Sequence, residues 1–350
     1  MTNVDQDLAA TLEQIALAVT KTAAKSFAPL APMASTQGFV GQVLAPRESS
    51  GVNPAITQLQ MRLYEHCYVS TFSGTEFPAG APARTVARMP QTDDMVGALA
   101  DANASREHWN PGWQIREVLT GGQIMTCKGG LSRMAWPGGF MTHGMHGIAP
   151  YAGLAVSLLA PKESGELQPG FYFAFGEALL DQQSEYDMVR FYWNVTEAGA
   201  VPLTRLLTQT LNRFEVPFRF KCLAHHSLFP RTDAAVLYVS KRFYRITADL
   251  LLDIHREVAS LLGESTPLFT RRLAKGLAFA EDPGSGESFG MSRCRILAEG
   301  LWNCHTHGVE GGAQSLSEIA QQFSIYGIDL DRPYLNPQSC DQYRFPGEWA

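Results

Sequence analysis

Short segments that combine aromatic or β-branched residues with basic side chains recur between Arg190 and Arg295. They occupy residues 190–195, 216–222, 231–238 and 288–295. Aromatic and β-branched residues suit the pleated, half-buried surface of a β-sheet. Basic groups carried on such a surface need an anion to face them. The pattern therefore predicts a sheet with a basic face, and we expect the anion to be a phosphate.

The rest of the chain mixes helical and strand patterns without strict alternation. Apolar residues at spacings of three and four predict helices at 5–27, 55–72, 93–104, 197–214, 246–262 and 315–326. Short strands are expected at 113–118, 123–128, 131–136, 154–159, 170–176, 188–195, 218–223, 234–239 and 289–296. The predicted fold class is α+β, with a mainly antiparallel sheet and packed helices. We divide the chain into a helical N-terminal region, 1–110, and an α+β domain, 111–350.

The composition argues against two classes of partner, nucleic acids and membranes. A net charge of −6 argues against a general nucleic-acid binder, which needs a basic surplus to meet the phosphate backbone. No apolar run approaches the length of a membrane span, so we expect no membrane partner. The first residues are polar and acidic, unlike a signal peptide, and the six cysteines show no paired spacing. A cytoplasmic location with free thiols is the expectation.

Lys221 is the candidate general base. Alternation along a strand at 218–223 points Arg219 and Lys221 to the same face. A lysine that lies near other cations in a partly dry cleft can lose its proton near neutral pH and accept one from a substrate. The alternative is an edge-strand lysine that discourages aggregation.

Several other basic residues are candidate phosphate ligands. Arg293 and Arg295 share a face if their segment is a strand, but not if it begins a helix. Arginine suits phosphate because its planar fork donates two parallel hydrogen bonds. Further candidates are Arg190, Arg231, Lys241 and Lys162, each of which is alternatively an ordinary surface cation.

Histidines suggest two other kinds of site. His225 and His226 follow the Lys221 strand, where an imidazole can protonate a leaving group. His143 with His146, and Cys304 with His305 and His307, resemble parts of metal sites but lack further ligands nearby. We therefore predict no metal and no cofactor.

The motifs also carry a family resemblance. Residues 168–176, 190–194, 216–222, 234–238, 280–283, 288–291 and 332–337 resemble the HopA-type family, named for a type III secreted effector of plant-pathogenic pseudomonads. The resemblance spans about Leu154 to Tyr343. Related proteins occur in class V lanthipeptide and thioamitide-type pathways, paired with a kinase-like protein. The resemblance implies that the kinase phosphorylates serine or threonine of a precursor peptide and that the HopA-type partner eliminates the phosphate.

A more distant similarity, to OspF-type phosphothreonine lyases, implies roles for individual residues. Lys221 matches the base, and Arg231 with Arg293 or Arg295 matches the phosphate clamp. The strand that carries the acid histidine in those lyases is matched by Tyr192, Trp193 and Asn194, which include no histidine. Tyr192, His225 or His226 is then the acid, or the phosphate leaves unassisted.

The sequence thus predicts a metal-independent phosphoserine/phosphothreonine lyase that makes dehydroalanine or dehydrobutyrine in a ribosomal precursor peptide. Its expected partners are the phosphorylated peptide and a kinase-like protein. The alternative is a non-catalytic scaffold of HopA-like fold that binds the peptide or stabilises the kinase.

Overall fold

The computed structural model describes residues 3–26, 53–72, 74, 94–143, 149–179, 187–284, 286–309 and 311–347. These residues form α-helices and two antiparallel sheets, which confirms the α+β prediction. His146 of the His143/His146 pair lies outside the described residues.

All but one of the α-helices within the described ranges coincide with predicted helical segments; the exception is Phe289–Thr306. They are α1 (Asn3–Ser26), α2 (Pro54–Leu63), α3 (Asp94–Ala102), α4 (Glu197–Arg213), α5 (Tyr244–Val258), α6 (Phe289–Thr306) and α7 (Gly312–Ile325). A single π-helical turn, Tyr64–Tyr68, continues α2. In α4 the spacing of Leu203, Leu207 and Leu211 puts all three in the core. None of the helices within the described ranges has the length and apolar character that crossing a bilayer requires.

The strands divide into two sheets. The five-stranded sheet has the order β3-β2-β1-β5-β4, and the seven-stranded sheet has the order β11-β12-β8-β10-β9-β7-β6. Their bounds are β1 (His108–Val118), β2 (Ile124–Lys128), β3 (Leu131–Ala135), β4 (Phe140–Thr142), β5 (Ala155–Ala160), β6 (Glu163–Ser164), β7 (Phe171–Phe175), β8 (Met188–Trp193), β9 (Phe218–Leu223), β10 (Ala235–Ser240), β11 (Arg271–Ala274) and β12 (Leu277–Glu281).

The strand predicted at 289–296 is wrong, because this segment begins helix α6. The Ser288 hydroxyl accepts a hydrogen bond from the Met291 backbone N–H at 3.2 Å and caps the helix. Phe289, Arg293, Leu297 and Leu301 are all buried, which is the spacing of one helix face. Arg293 and Arg295 therefore do not share a face, and the prediction of a paired clamp built on a strand is corrected.

The β11–β12 hairpin was not predicted from the sequence. The chain turns between the two strands at Gly276, whose φ of +61° lies in the left-handed region. β12 is buried along its whole length and pairs with β8. The hairpin thereby brings Glu281 and Asp282 next to β8, although β8 is distant from them in the sequence.

The two faces of the seven-stranded sheet pack against different elements. On one face Trp193 lies against His255 of α5, with ring centroids 6.3 Å apart. On the other face Tyr192 contacts Tyr68 of the π-helical turn at 6.4 Å and Phe289 of α6 at 6.2 Å. The register pairs Lys221 of β9 with Val236 of β10, and Val236 with Tyr192 of β8. Paired residues on neighbouring strands project to the same face, so Lys221 lies on this second face with Tyr192.

The hydrophobic core is divided between the sheets. Residues of α1 and α2, such as Leu12 and Leu63, share one core with the seven-stranded sheet. The five-stranded sheet buries a separate, smaller cluster that includes Trp113, Ile124 and Val156.

Candidate anion-binding site

Three basic residues lie on one face of three neighbouring strands. The antiparallel register places Arg219 of β9 opposite Tyr238 of β10, and Tyr238 opposite Arg190 of β8. Lys221 lies two residues beyond Arg219 on the same face. This confirms the expectation that Arg219 and Lys221 point the same way. It also shows that β9 is an interior strand between β10 and β7, so the edge-strand alternative for Lys221 is wrong.

The Lys221 ammonium has a polar neighbour, and no acidic partner among the residues that the structure describes. Its Nζ donates to Gln168 Oε1 at 3.2 Å and lies 4.5 Å from the centroid of the Phe171 ring. In the described part of the chain no carboxylate forms an ion pair with it. A half-buried ammonium over an aromatic ring is stabilised by the ring's negative face, but its charge remains available to an anion.

Arg219 is the most exposed cation of this face. Its guanidinium carbon lies 4.6 Å from the centroid of the Tyr238 ring. Like Lys221, it forms no ion pair among the described residues. Within the described ranges, Lys221 and Arg219 thus form no ion pair with a carboxylate, although the charge of Arg219 acts on Asp282.

Arg190 differs because it is buried and paired. Its Nε and Nη2 both lie 2.7 Å from Asp282 Oδ2. Burial would raise the pKa of Asp282, but the charge of Arg190, the hydrogen bond from the Gly284 N–H and the charge of Arg219 together hold that pKa below its usual value. The Arg190 guanidinium is thus held rigidly, 5.1 Å from the Tyr238 centroid.

Tyr238 lies at the centre of the basic face. The ring is 6% exposed, and the Lys221 Nζ lies 6.0 Å from its centroid. Burial alone would raise the pKa of Tyr238. The positive charges of Lys221, Arg190 and Arg219 outweigh that effect and hold the pKa below its ordinary value. We call Lys221, Arg219, Arg190 and Tyr238 the basic face.

Arg231 lies at the Lys221 end of the basic face. Like Lys221, it lies next to the Phe171 ring, with its guanidinium carbon 5.7 Å from the ring centroid. It is engaged in a two-pronged ion pair with Asp233, through contacts of 2.8 and 2.9 Å, and its Nη2 lies 3.4 Å from the Tyr64 hydroxyl. Its charge is therefore largely compensated where it stands.

Tyr192 lies on the same face but is enclosed. It is 2% exposed, and its hydroxyl makes no well-formed hydrogen bond within the described residues, although the Tyr68 phenol and the Arg190 guanidinium lie close. Burial raises the pKa of Tyr192 to about 12, against the opposing effect of the Arg190 charge.

His225 and His226 lie just beyond β9, with their rings stacked at a centroid distance of 4.4 Å. His225 is buried and caps the short 3₁₀ turn at His226–Leu228. Its Nδ1 accepts from the Ser227 N–H at 3.1 Å and lies 2.8 Å from the Ser227 hydroxyl. His225 therefore has a structural role at the end of the Lys221 strand.

Arg293 is buried in the core between α6 and the C-terminal segment. It is 1% exposed, and it donates to the carbonyls of Pro333 and Leu335, each at 2.8 Å. Burial lowers the pKa of Arg293 to about 10. Its hydrogen bonds fix the position of the segment after α7. The prediction that this arginine is presented to a phosphate is therefore corrected.

The remaining predicted ligands form ion pairs away from the basic face. Arg295 contacts Glu287 and Glu299 at 3.3 and 3.4 Å, and donates to the Tyr326 hydroxyl at 3.0 Å. Lys241 contacts Asp187 at 3.0 Å and Glu281 at 2.9 Å. Lys162 contacts Glu163 at 3.4 Å and donates to the Ala100 carbonyl at 3.2 Å.

Sequence reasoning missed Tyr238, Asp282 and Gln168 at this site. Tyr238 lies in a strand that was predicted. Alternation would have put it on the same face as Val236, but the sequence does not show that this face carries Lys221. Asp282 follows the unpredicted β12, and Gln168 lies in the turn before β7, so neither had a strand pattern to locate it.

The histidine and cysteine motifs do not assemble into a metal site in the described residues. No group of three or more His, Cys, Asp or Glu side chains there could hold a metal ion. His143 Nε2 lies 2.8 Å from the Ser157 hydroxyl, and His307 Nδ1 lies 3.4 Å from Glu318. Cys304 is buried against the Ser315 carbonyl at 3.8 Å.

The sequence model of the HopA1 effector protein family matches residues 162–335, just under half of the 350-residue chain. The predicted resemblance to the HopA-type family is confirmed for this segment, which contains all of the basic face. No curated protein matches the chain significantly.

Two solved structures resemble part of the chain. The effector protein from Pseudomonas syringae pv. tomato strain DC3000 is 24% identical with a TM-score of 0.38. The effector protein from Pseudomonas syringae pv. syringae strain 61 is 18% identical with a TM-score of 0.34. Each match covers 48% of this chain and 63% of the effector, so this chain spans less than two thirds of either effector's length.

Proposed function

We propose that this chain is a phosphoserine/phosphothreonine lyase that β-eliminates phosphate from a phosphorylated precursor peptide, giving dehydroalanine or dehydrobutyrine. One observation carries the proposal. Lys221 and Arg219 project from one strand onto the same face, beside Arg190, and neither has a carboxylate partner among the described residues. A site of this kind offers a base and positive charge to one bound phosphate ester.

The chemistry requires three movements of charge. The Lys221 amine takes the proton from Cα, and the electrons of that C–H bond remain on the substrate as an enolate. As the Cβ–O bond breaks, the enolate electrons form the Cα–Cβ double bond, and both electrons of the Cβ–O bond leave with the phosphate. Positive charge close to the developing enolate and to the departing oxygen lowers the barrier, because the charge is already in place when the reaction begins.

Arg219 and Arg190 have different parts in binding the phosphate. Arg219 is exposed and forms no ion pair with any described residue, so it can turn toward an entering phosphate. Arg190 is held in place by its ion pair with Asp282, which largely compensates its charge, so its part is to position the site beneath Arg219. Guanidinium groups suit this task because they donate two parallel hydrogen bonds to phosphate oxygens.

The peptide and the kinase in the proposal derive from the family resemblance. In that setting a kinase-like partner phosphorylates serine or threonine of a ribosomal precursor peptide, and this chain receives the product. Because β9 is an interior strand, the phosphorylated residue has to reach the basic face from above the sheet. A peptide that pairs with an edge strand would then have to fold over the face to deliver its phosphate.

A second function, a non-catalytic phosphopeptide-binding scaffold, is favoured by Asn194. By the distant resemblance to OspF-type lyases, Asn194 matches the acid histidine of those proteins. Its Nδ2 donates to the Ser265 carbonyl at 2.8 Å, and its side chain packs beside Gly263. It thus has a structural role and offers no proton, which leaves binding without chemistry as the rival.

Two substitutions of Lys221 separate the lyase from the scaffold. A phosphoserine peptide is incubated with the wild-type chain, Lys221→Arg and Lys221→Met, and both the peptide mass and the peptide affinity are measured. The lyase predicts loss of phosphoric acid with the wild type alone. Lys221→Arg keeps the positive charge and hence the affinity, but a guanidinium cannot serve as the base. Lys221→Met is expected to lose both the affinity for the phosphopeptide and the elimination activity.

The scaffold predicts a different pattern. The wild type and Lys221→Arg would then bind the phosphopeptide equally well, and neither would change its mass. Thermal unfolding of all three proteins checks that the substitutions leave the fold intact.

A further inference from the structure

We propose that Tyr238 is the proton donor to the phosphate as it leaves. The inference rests on the proposed lyase activity and supplies the acid that the Asn194 position lacks. It assigns the role to a residue that neither the sequence motifs nor the family resemblance indicated.

The position of Tyr238 supports this role. It stands on β10 between the two arginines of the basic face, with Arg219 opposite it on β9 and Arg190 opposite it on β8. The guanidinium carbons lie 4.6 and 5.1 Å from its ring centroid. A phosphate held by Arg219 therefore lies beside the Tyr238 side chain.

The charges around Tyr238 favour release of its proton. The groups that face it are Lys221 and Arg219 from β9, Arg190 from β8, and Asp282 after β12. Arg219 and Arg190 are positive throughout, and Lys221 becomes positive when it takes the Cα proton. With all three charged, the pKa of Tyr238 lies below its ordinary value despite the burial of the ring. An acid serves best when its pKa is not far above the working pH.

Protons balance in this scheme. Lys221 gains one proton from Cα, and Tyr238 gives one to the phosphate oxygen that leaves Cβ. A phosphate ester dianion that departs without a proton leaves as a trianion, which is a poor leaving group. After product release the Lys221 ammonium and the Tyr238 phenolate exchange their proton through solvent, which restores the starting state.

Two other candidate acids, Tyr192 and His225, are less well placed. Tyr192 is enclosed by Tyr68 and Phe289, and burial raises its pKa to about 12. The Nδ1 of His225 is engaged by Ser227 at the turn after β9. Tyr238 alone of these three is flanked by Arg219, the exposed arginine of the basic face.

The test is a comparison of rates across pH for the wild type, Tyr238→Phe and Tyr192→Phe, acting on a phosphoserine peptide. The second pKa of a phosphate ester is about 6. Above it the substrate needs an external proton, and below it the substrate carries its own. We expect Tyr238→Phe to be slower than the wild type by about 10²-fold or more at pH 8. The ratio of the two rates should shrink at least about tenfold by pH 5.5, because the monoanionic substrate bypasses the missing acid.

The control and the contrary outcomes are distinct. For Tyr192→Phe the rate ratio should be constant with pH. A pH-independent ratio for Tyr238→Phe, or a loss that affects phosphopeptide affinity alone, overturns the assignment while leaving the lyase intact. If instead the wild type removes no phosphate at any pH, the proposed function fails and the acid role fails with it.

Discussion

The Lys221 ammonium lies 6.0 Å from the centroid of the Tyr238 ring, so a lysine and a phenol lie on the same sheet face on adjacent strands. Neither residue reaches this position through a local motif. β9 and β10 bring them together by antiparallel pairing, and Arg219 and Arg190 complete the set from either side of Tyr238. The four side chains act as one electrostatic unit, which makes their properties interdependent.

That interdependence predicts a change in the titration of Tyr238. Of the three positive charges that lower the pKa of Tyr238, Lys221 has the largest effect. Lys221→Met removes that charge, so the pKa of Tyr238 should rise. The measurement is the ultraviolet absorption of tyrosinate against pH in the wild type and in Lys221→Met. Each curve is corrected by the same variant that also carries Tyr238→Phe. An unchanged midpoint would show that the two groups do not interact.

Substitution of Arg219 should weaken phosphate recognition specifically. Arg219→Met is expected to bind a phosphoserine peptide about tenfold more weakly, because one charge-assisted contact is lost, and to bind the serine peptide as before. Arg213→Met is the matched control, since Arg213 is another exposed arginine that lies 5.9 Å from an aromatic centroid, that of Phe214, at the end of α4. Isothermal calorimetry with the non-reacting Lys221→Arg background gives the affinities. Equal losses with both peptides would contradict a phosphate contact.

Arg293 is predicted to matter for stability more than Arg295. Lys in place of Arg293 cannot reach the Pro333 and Leu335 carbonyls with the same forked geometry, so at least one buried acceptor loses its partner. We expect Arg293→Lys to lower the free energy of unfolding by about 2 kcal/mol and Arg295→Lys by less than about 1 kcal/mol. Urea unfolding measures both, and a larger loss for Arg295→Lys would refute this assignment.

Glu281 should make stability depend on acid pH. It accepts hydrogen bonds from the Tyr343 hydroxyl at 2.6 Å and the Asn336 N–H at 2.7 Å, and pairs with Lys241 at 2.9 Å. Burial would raise its pKa, but a hydrogen bond from Ser339 together with these partners holds it below the ordinary value of 4.5. A carboxyl with a depressed pKa stabilises the fold above its unfolded pKa, and this contribution is lost as pH falls through the folded pKa.

The Glu281 prediction is measured by thermal unfolding of the wild type and Glu281→Gln across pH. The wild type should be the more stable near neutral pH, and the gap should close below about pH 4. A gap that stays constant through that range would mean that the Glu281 charge does not contribute.

The sequence predicted what local periodicity controls. Alternation in β9 correctly placed Arg219 with Lys221, and the leucine spacing of α4 correctly gave a helix. The same kind of reasoning failed at Arg293 and Arg295, because an i, i+2 pair of basic residues occurs in helices as readily as in strands. The helical cap at Ser288 was the signal that would have decided between them.

Charge compensation could not be predicted from the sequence. Arg190 and Asp282 are 92 residues apart, and Lys241 meets Glu281 only because the unpredicted β12 pairs with β8. Which cations remain unpaired depends on such distant contacts. Lys221 and Arg219 therefore stand out only in the folded chain, where Arg231, Lys241 and Arg295 each have a carboxylate partner.

The mass of the product peptide tests the central claim most directly. A phosphoserine peptide is incubated with the purified chain in metal-free buffer and analysed by mass spectrometry. We predict a product lighter than the substrate by one phosphoric acid, which is dehydroalanine, and slower formation when the Cα hydrogen is replaced by deuterium. A product that is one water heavier than dehydroalanine would be serine formed by hydrolysis, and that result, or an unchanged peptide, would contradict elimination at the basic face.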